Sequence, residues 1–320
     1  MSGGKIEKIC FIAPSTGLLQ SDRKAINRTI RALKNGLGAK EIFSSPHLFS
    51  FHEKVDYVSA SIEDRLNDFR SAIKDYDLII SVAGGTGAED LALKIDKKDF
   101  QMIRERKPIF MGFSDFTFLL NEIYFSSRAP VVHFSSLTLG KGNFNKIFSL
   151  ILGKEIYYRG SFWLTPSPAR KFSGTPIGGN FSTFANFLNR INPPKFNWKK
   201  HILFIEDVGV DNEDLHRSFA ALSRHNVFEK IKCIVIGSLC EHVNNSTYQG
   251  RQRGLLKSVK NYLTDIIKKR RDERNPLPIL VVSNFGHNIV RDLMAVPIGG
   301  HISISKGKKI IFSMKKPKKN

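Results

Sequence analysis

The chain has 320 residues, 41% of them apolar, which is enough to bury one or two cores and excludes a disordered or fibrous protein. Its 50 Lys plus Arg against 29 Asp plus Glu give a formal charge of +21, and its three cysteines, Cys10, Cys233 and Cys240, are too few and too irregular for a disulfide framework. No run approaches the roughly 20 apolar residues that span a bilayer, and the apolar start at 8–13 stops at Pro14, too early for a secretory signal, so a soluble cytoplasmic protein is expected.

Residues 9–13 read as the first strand, and 23–37 follows with Ile26, Ile30 and Leu33 at helical spacing. A second helical stretch, 62–75, leads to a strand at 78–82, a glycine loop Gly84-Gly85-Thr86-Gly87 and a helix at 88–93. Strand 108–112 is followed by a tight turn, a helix at 116–124 and a strand at 131–133. This alternation predicts an α/β protein with a Rossmann-like or flavodoxin-like N-terminal domain on a parallel sheet, residues 1–153.

The periodicity then breaks around Pro166, Pro168 and Gly174, so 154–174 is read as a linker. Beyond it, strands at 202–205, 233–237, 279–282, 301–305 and 309–313, with helices at 214–224 and 255–270, predict a smaller strand-rich α/β C-terminal domain, residues 175–320. No internal repeat is present.

Ser114, in Gly112-Phe113-Ser114-Asp115, falls on the turn between a strand and a helix, where a rigid hydroxyl is exposed beside backbone N–H groups able to bind an oxyanion. Taken alone, the segment is better read as Ser114 or Asp115 capping that helix. The glycine loop allows close backbone approach to a ligand, or is simply a turn that needs positive φ; it lacks the register of a dinucleotide fingerprint. Glu206 stands just past a buried strand, where a carboxylate could orient an imidazole, or could merely enter the turn at Gly209. His287 follows a strand through Phe285 and Gly286, and as a lone residue it reads as a hydrogen-bonded loop histidine.

Of the other histidines, His301 is the main rival; His47, His52, His133, His201, His216 and His225 have no evident partner in sequence. Cys240-Glu241-His242 lacks the paired spacing of a metal site, and no metal is expected. The positive charge is spread along the chain, and its densest runs, 268–274 and 306–319, lack interleaved aromatics. The first reads as a solvated helix face, the second as a tail. A general cationic surface suited to a small anionic substrate is the better reading, with a basic nucleic-acid-binding protein as the alternative from another class.

In order along the chain, Ile12-Ala13-Pro14-Ser15, Asp64-Arg65-Leu66, the Gly84–Gly87 loop, Gly112-Phe113-Ser114-Asp115, Pro176-Ile177-Gly178-Gly179-Asn180, Phe204-Ile205-Glu206-Asp207-Val208-Gly209 and Phe285-Gly286-His287 resemble the serine LD-carboxypeptidase family, which also contains microcin C immunity peptidases. The resemblance implies Ser114 as nucleophile, His287 as general base and acid, and Glu206 as the residue orienting His287. It further implies an oxyanion and substrate site drawn from Gly84, Gly85, Thr86, Asp115 and Asn180, with neither metal nor organic cofactor. The implied activity is hydrolysis of the amide between an L-centre and a terminal D-amino acid, releasing D-Ala from muropeptide tetrapeptides during cell-wall recycling. A peptidase detoxifying a microcin C-type antibiotic and an inactive muropeptide binder are the alternatives within the family, and a homodimer is the implied assembly. Ala83 and Thr86 depart from the Arg and Tyr that many members carry at these positions.

Overall fold

A computed structural model describes residues 5–129, 131–137, 144–166, 171–191, 196–240, 248–287, 289 and 292–314. Glu241, His242, Arg291 and the tail from Lys315 lie outside the described residues, as does part of the expected linker. The chain forms two compact units: Met1–Ile156 with Val290–Gly300 and Phe312–Asn320, and Tyr157–Ile289 with His301–Ile311.

The first unit holds five parallel strands, β1 (Lys8–Ile12), β2 (Glu41–Ser44), β3 (Leu78–Ser81), β4 (Ile109–Gly112) and β5 (Val131–His133). Their spatial order is 2-1-3-4-5, which settles the parallel core as flavodoxin-like and places its switch point between β1 and β3. A late strand, β12 (Val296–Ile298), adds antiparallel to the outer side of β5.

Helices α1 (Arg23–Leu37), α2 (Ile62–Asp75), α3 (Ala88–Ala92), α4 (Lys97–Arg106), α5 (Thr117–Ser127) and α6 (Phe144–Ile151) belong to the same unit. Leu78, Ile79 and Ile80 of β3 are fully buried, as strands of an α/β sheet must be when both faces are covered. Helix α1 shows why its sequence folds this way: Ile26, Thr29, Leu33 and Leu37 recur on one buried face, and Gly38 ends the helix in a left-handed conformation that glycine adopts without a Cβ penalty.

The second sheet, which belongs to the second unit except for Ile156 and the last two residues of β14, contains β6 (Ile156–Arg159), β7 (Phe162–Trp163), β8 (Phe172–Asn180), β9 (His201–Val208), β10 (Cys233–Cys240), β11 (Ile279–Val281), β13 (His301–Ile304) and β14 (Lys309–Ser313). The sheet order is β6-β14-β13-β8-β9-β10-β11-β7, with β8 to β11 parallel and β13 and β7 antiparallel beside them. Helices α7 (Phe181–Ile191), α8 (Asn212–Arg224), α9 (Val227–Lys230), α10 (Tyr248–Tyr262) and α11 (Thr264–Asp272) complete it.

Three features differ from the sequence expectation. The stretch expected to be a linker supplies β6, β7 and the start of β8. The helix expected at 255–270 is two helices, because the chain turns at the fully buried Leu263. Arg270, assigned to a solvated face, is 3% exposed and donates to the carbonyls of Phe228, Ile231 and Asn275.

Candidate active site

In the first unit, Ser114 begins a single 3-10 turn, Ser114–Phe116, between β4 and α5. Its φ is +57°, a left-handed conformation that costs a residue with a Cβ about 1–2 kcal/mol. Gly112 makes the reversal possible, since a Cβ there would meet the Phe116 ring. The hydroxyl is thereby placed at the carboxyl end of the sheet, next to the entrance of a helix.

The glycine loop packs directly on this turn. A Cβ on Gly84 would stand 2.6 Å from Ser114 Cβ and 2.8 Å from its Oγ, so only glycine fits without movement. A Cβ on Gly85 (φ +99°) would run into the side chain of Thr16, whose amide donates to the Gly84 carbonyl across the β1/β3 switch point. Thr86 is exposed at the tip of the loop. The side chain of Asp115 accepts from the Ala88 amide at 2.9 Å and caps α3, and burial raises its pKa, opposed by that hydrogen bond.

Arg65 fastens the loop from below. It is 4% exposed, and its guanidinium donates to the carbonyls of Pro14 and Gly87, each at 2.8 Å, and of Ala60 at 3.2 Å. Sequence reasoning noted Arg65 only as part of a resemblance; an arginine on the apolar face of α2 was the available signal. His133 is fully buried in β5 with its ring 4.8 Å from that of Phe113. His47 has a partner the sequence did not disclose, Asp68, 2.9 Å from its Nδ1.

In the second unit, Glu206 lies in β9 and is fully buried. His287 arrives on the loop after β11, and its Nδ1 stands 2.7 Å from Glu206 Oε2, which also accepts from the His287 backbone amide at 3.0 Å. Gly286 permits this approach: its φ is +118°, and a Cβ there would lie 2.9 Å from both Glu206 Cβ and Oε2. Burial of His287 opposes its charged form, but the charge and hydrogen bond of Glu206, helped by Asp207, outweigh it and raise its pKa above 6.5.

Asp207 is 2% exposed, and burial, with the adjacent Glu206 charge, pushes its pKa up to about 6. It accepts from Asn180 Nδ2 and from the amides of Ser182 and Val208. Asn180 Oδ1 in turn accepts from Thr183 N and from the hydroxyls of Ser182 and Thr183 at the start of α7. Asn180, expected at the substrate, thus uses its side chain to bind β8, β9 and α7 together. His301, the rival histidine, starts β13, the strand paired antiparallel with β8.

A hydroxyl on a strained turn and an imidazole oriented by a buried carboxylate are the components of a serine-type hydrolase. The chain belongs to the LD-carboxypeptidase family: residues 9–134 match the model of the LD-carboxypeptidase N-terminal domain, and 173–304 that of the C-terminal domain. It is 26% identical to the "Probable murein peptide carboxypeptidase" of Bacillus subtilis (strain 168), across 79% of this chain and 77% of the relative. The fold matches the crystal structure of a muramoyltetrapeptide carboxypeptidase from Oxalobacter formigenes with a TM-score of 0.73 at 20% identity, covering 97% of this chain and all of the other. It matches the microcin C7 self immunity protein with a TM-score of 0.70 at 19% identity, covering 97% and 96%. Among the described residues no cluster of three His, Cys, Asp or Glu could hold a metal, and no helix is long and apolar enough to cross a membrane.

Proposed function

We propose that the protein is a serine LD-carboxypeptidase that releases D-Ala from muropeptide tetrapeptides, with Ser114, His287 and Glu206 as its catalytic residues. The observation that carries this reading is the Glu206 and His287 pair. A buried carboxylate bound to Nδ1 fixes the tautomer in which Nε2 is the atom that takes up the proton. Ser114 Oγ attacks the carbonyl carbon, His287 takes its proton and passes it to the leaving amine, and water then releases the acyl-enzyme. The amides of Asp115 and Gly85 are the oxyanion donors in this scheme, and the exposed Thr86 meets the substrate from the loop tip. The family membership and the murein peptide relative support the substrate class.

The test is mass spectrometry of a muropeptide mixture before and after incubation. Loss of one terminal alanine from tetrapeptides, abolished by Ser114→Ala in a protein with unchanged melting, is expected; full activity of that variant overturns the assignment. Because the microcin C7 self immunity protein has the same fold, an aminoacyl-sulfamoyl adenylate is assayed in parallel. Its cleavage with the tetrapeptide left intact would assign the protein to antibiotic detoxification instead.

A further inference from the structure

A cavity of about 890 Å³ opens in the first unit at the amino ends of its parallel strands, where Ile6, Asp77, Ile109 and Ala129 lead into β1, β3, β4 and β5. Ser114 and the glycine loop sit at the carboxyl ends of β4 and β3, so this cavity is at the opposite edge of the same sheet. Its size falls within the range of small-molecule sites.

The lining has two characters. Arg104, Arg106, Lys107, Arg128 and Lys5 stand around it, with Asp77 as the one acid. Ile6, Ile151, Leu152, Ile298 and Met314 supply an apolar wall.

Basic residues at the ends of helices often do no more than answer the helix dipole, and the ends of α2, α4, α5 and α6 all meet this cavity. The charges show how far that explanation reaches. Four helix ends bring roughly half a negative charge each, offsetting about two cations. Asp77 offsets another, and its carboxylate already accepts from the amides of Glu7 and Lys8. Lys5 is matched by Glu7 at 3.0 Å. At least one full positive charge is left over, in a concavity that focuses its field.

The donors give the same result. Arg104 uses one N–H on the Ser126 carbonyl at 3.1 Å, and Arg106 one on the Ile73 carbonyl at 2.7 Å. Those bonds tether two guanidinium groups while most of their five donors remain, and Arg128 lies 5.0 Å from the Tyr124 ring centroid. Among the described residues none of these three arginines, nor Lys107, pairs with a carboxylate.

Tethered arginine forks match phosphate oxygens, and an apolar wall beside them matches a ring that a bare ion lacks. We infer that this cavity is a second ligand site, separate from the peptidase centre, for a nucleoside di- or triphosphate. The inference stands on the cavity alone and survives a failure of the peptidase reading.

The test is isothermal titration calorimetry of the full chain with ADP at 0.15 M salt, alongside adenosine and tripolyphosphate. One saturable ADP site is expected, with both partial probes at least tenfold weaker because each engages only one character of the lining. Arg104→Glu/Arg128→Glu should weaken ADP by about tenfold for each charge-assisted hydrogen bond removed. The milder Arg128→Gln, whose side chain is exposed, should weaken it by several-fold with melting unchanged. Ser114→Ala should leave ADP affinity as it was. Absence of saturation at millimolar ADP, tripolyphosphate binding as tightly as ADP, or ADP binding indifferent to both arginine variants would each overturn the inference.

Discussion

The Ser114 turn of the first unit and the Glu206 and His287 pair of the second are held in place by opposite means. Ser114 is held by backbone: a left-handed φ at the serine, glycines on either side of it in space, and a loop fastened by Arg65 to three carbonyls. His287 is held by a side-chain charge, one carboxylate oxygen accepting from both its ring and its amide. The first device stores strain that a substitution can relieve; the second stores a buried charge that a substitution can only remove. Stability and activity should therefore respond differently to changes in the two regions.

The largest effect is expected at the turn. Ser114→Ala should lower kcat for tetrapeptide hydrolysis on the order of 10⁴-fold or more. Ser114→Gly should be equally inactive yet more stable by about 1 kcal/mol, since glycine adopts this φ without penalty. Urea denaturation of the two variants side by side measures the strain, and equal stability of the glycine variant and the parent would remove it from the account.

Glu206→Gln should lower kcat/KM by about 10³ to 10⁴, because the imidazole loses both its tautomer and the stabilisation of its charged form. The sign of the pH effect follows from the same pair. In the parent the base is raised above 6.5, so the acid limb of kcat/KM should lie above that value; without the Glu206 charge, burial dominates and the residual limb should move below it. A limb that does not move would disconnect Glu206 from the imidazole.

Gly286→Ala, which sets a Cβ against Glu206 in a backbone conformation unsuited to it, should reduce kcat about 100-fold through displacement of His287. The smallest catalytic effect is expected from Arg65→Met, which leaves the Gly87, Pro14 and Ala60 carbonyls without their donor. It should destabilise the protein by about 1–3 kcal/mol in thermal or urea melts while activity falls only several-fold.

Much of this was legible before any coordinates, and the exceptions have physical reasons. Strands β1, β3, β4, β9 and β10 are apolar runs buried on both faces, which a sequence announces. Strand β8 is hidden because Phe172-Ser173-Gly174-Thr175-Pro176-Ile177-Gly178-Gly179 carries the composition of a loop; Gly178 is needed there, since a Cβ would run into the Phe204 carbonyl of β9. The pairing of His287 with Glu206 spans 81 positions and leaves no local trace, so only the order of motifs suggested it. Asn180 carries a second role that its glycine-asparagine motif did not announce: its hydrogen bonds to Asp207, Ser182 and Thr183 tie strands and helix together.

Strand β12 has a consequence for how the protein is made. The first five strands are complete once residue 133 has left the ribosome, yet the outer side of β5 has no antiparallel neighbour until Val296–Ile298 emerges. During that interval the nascent chain carries an open strand edge, the kind of surface that recruits other chains. A gene fragment ending before β12 should accordingly yield aggregates, and a peptide carrying Ala295–Gly299 supplied in trans should bring part of it back into solution.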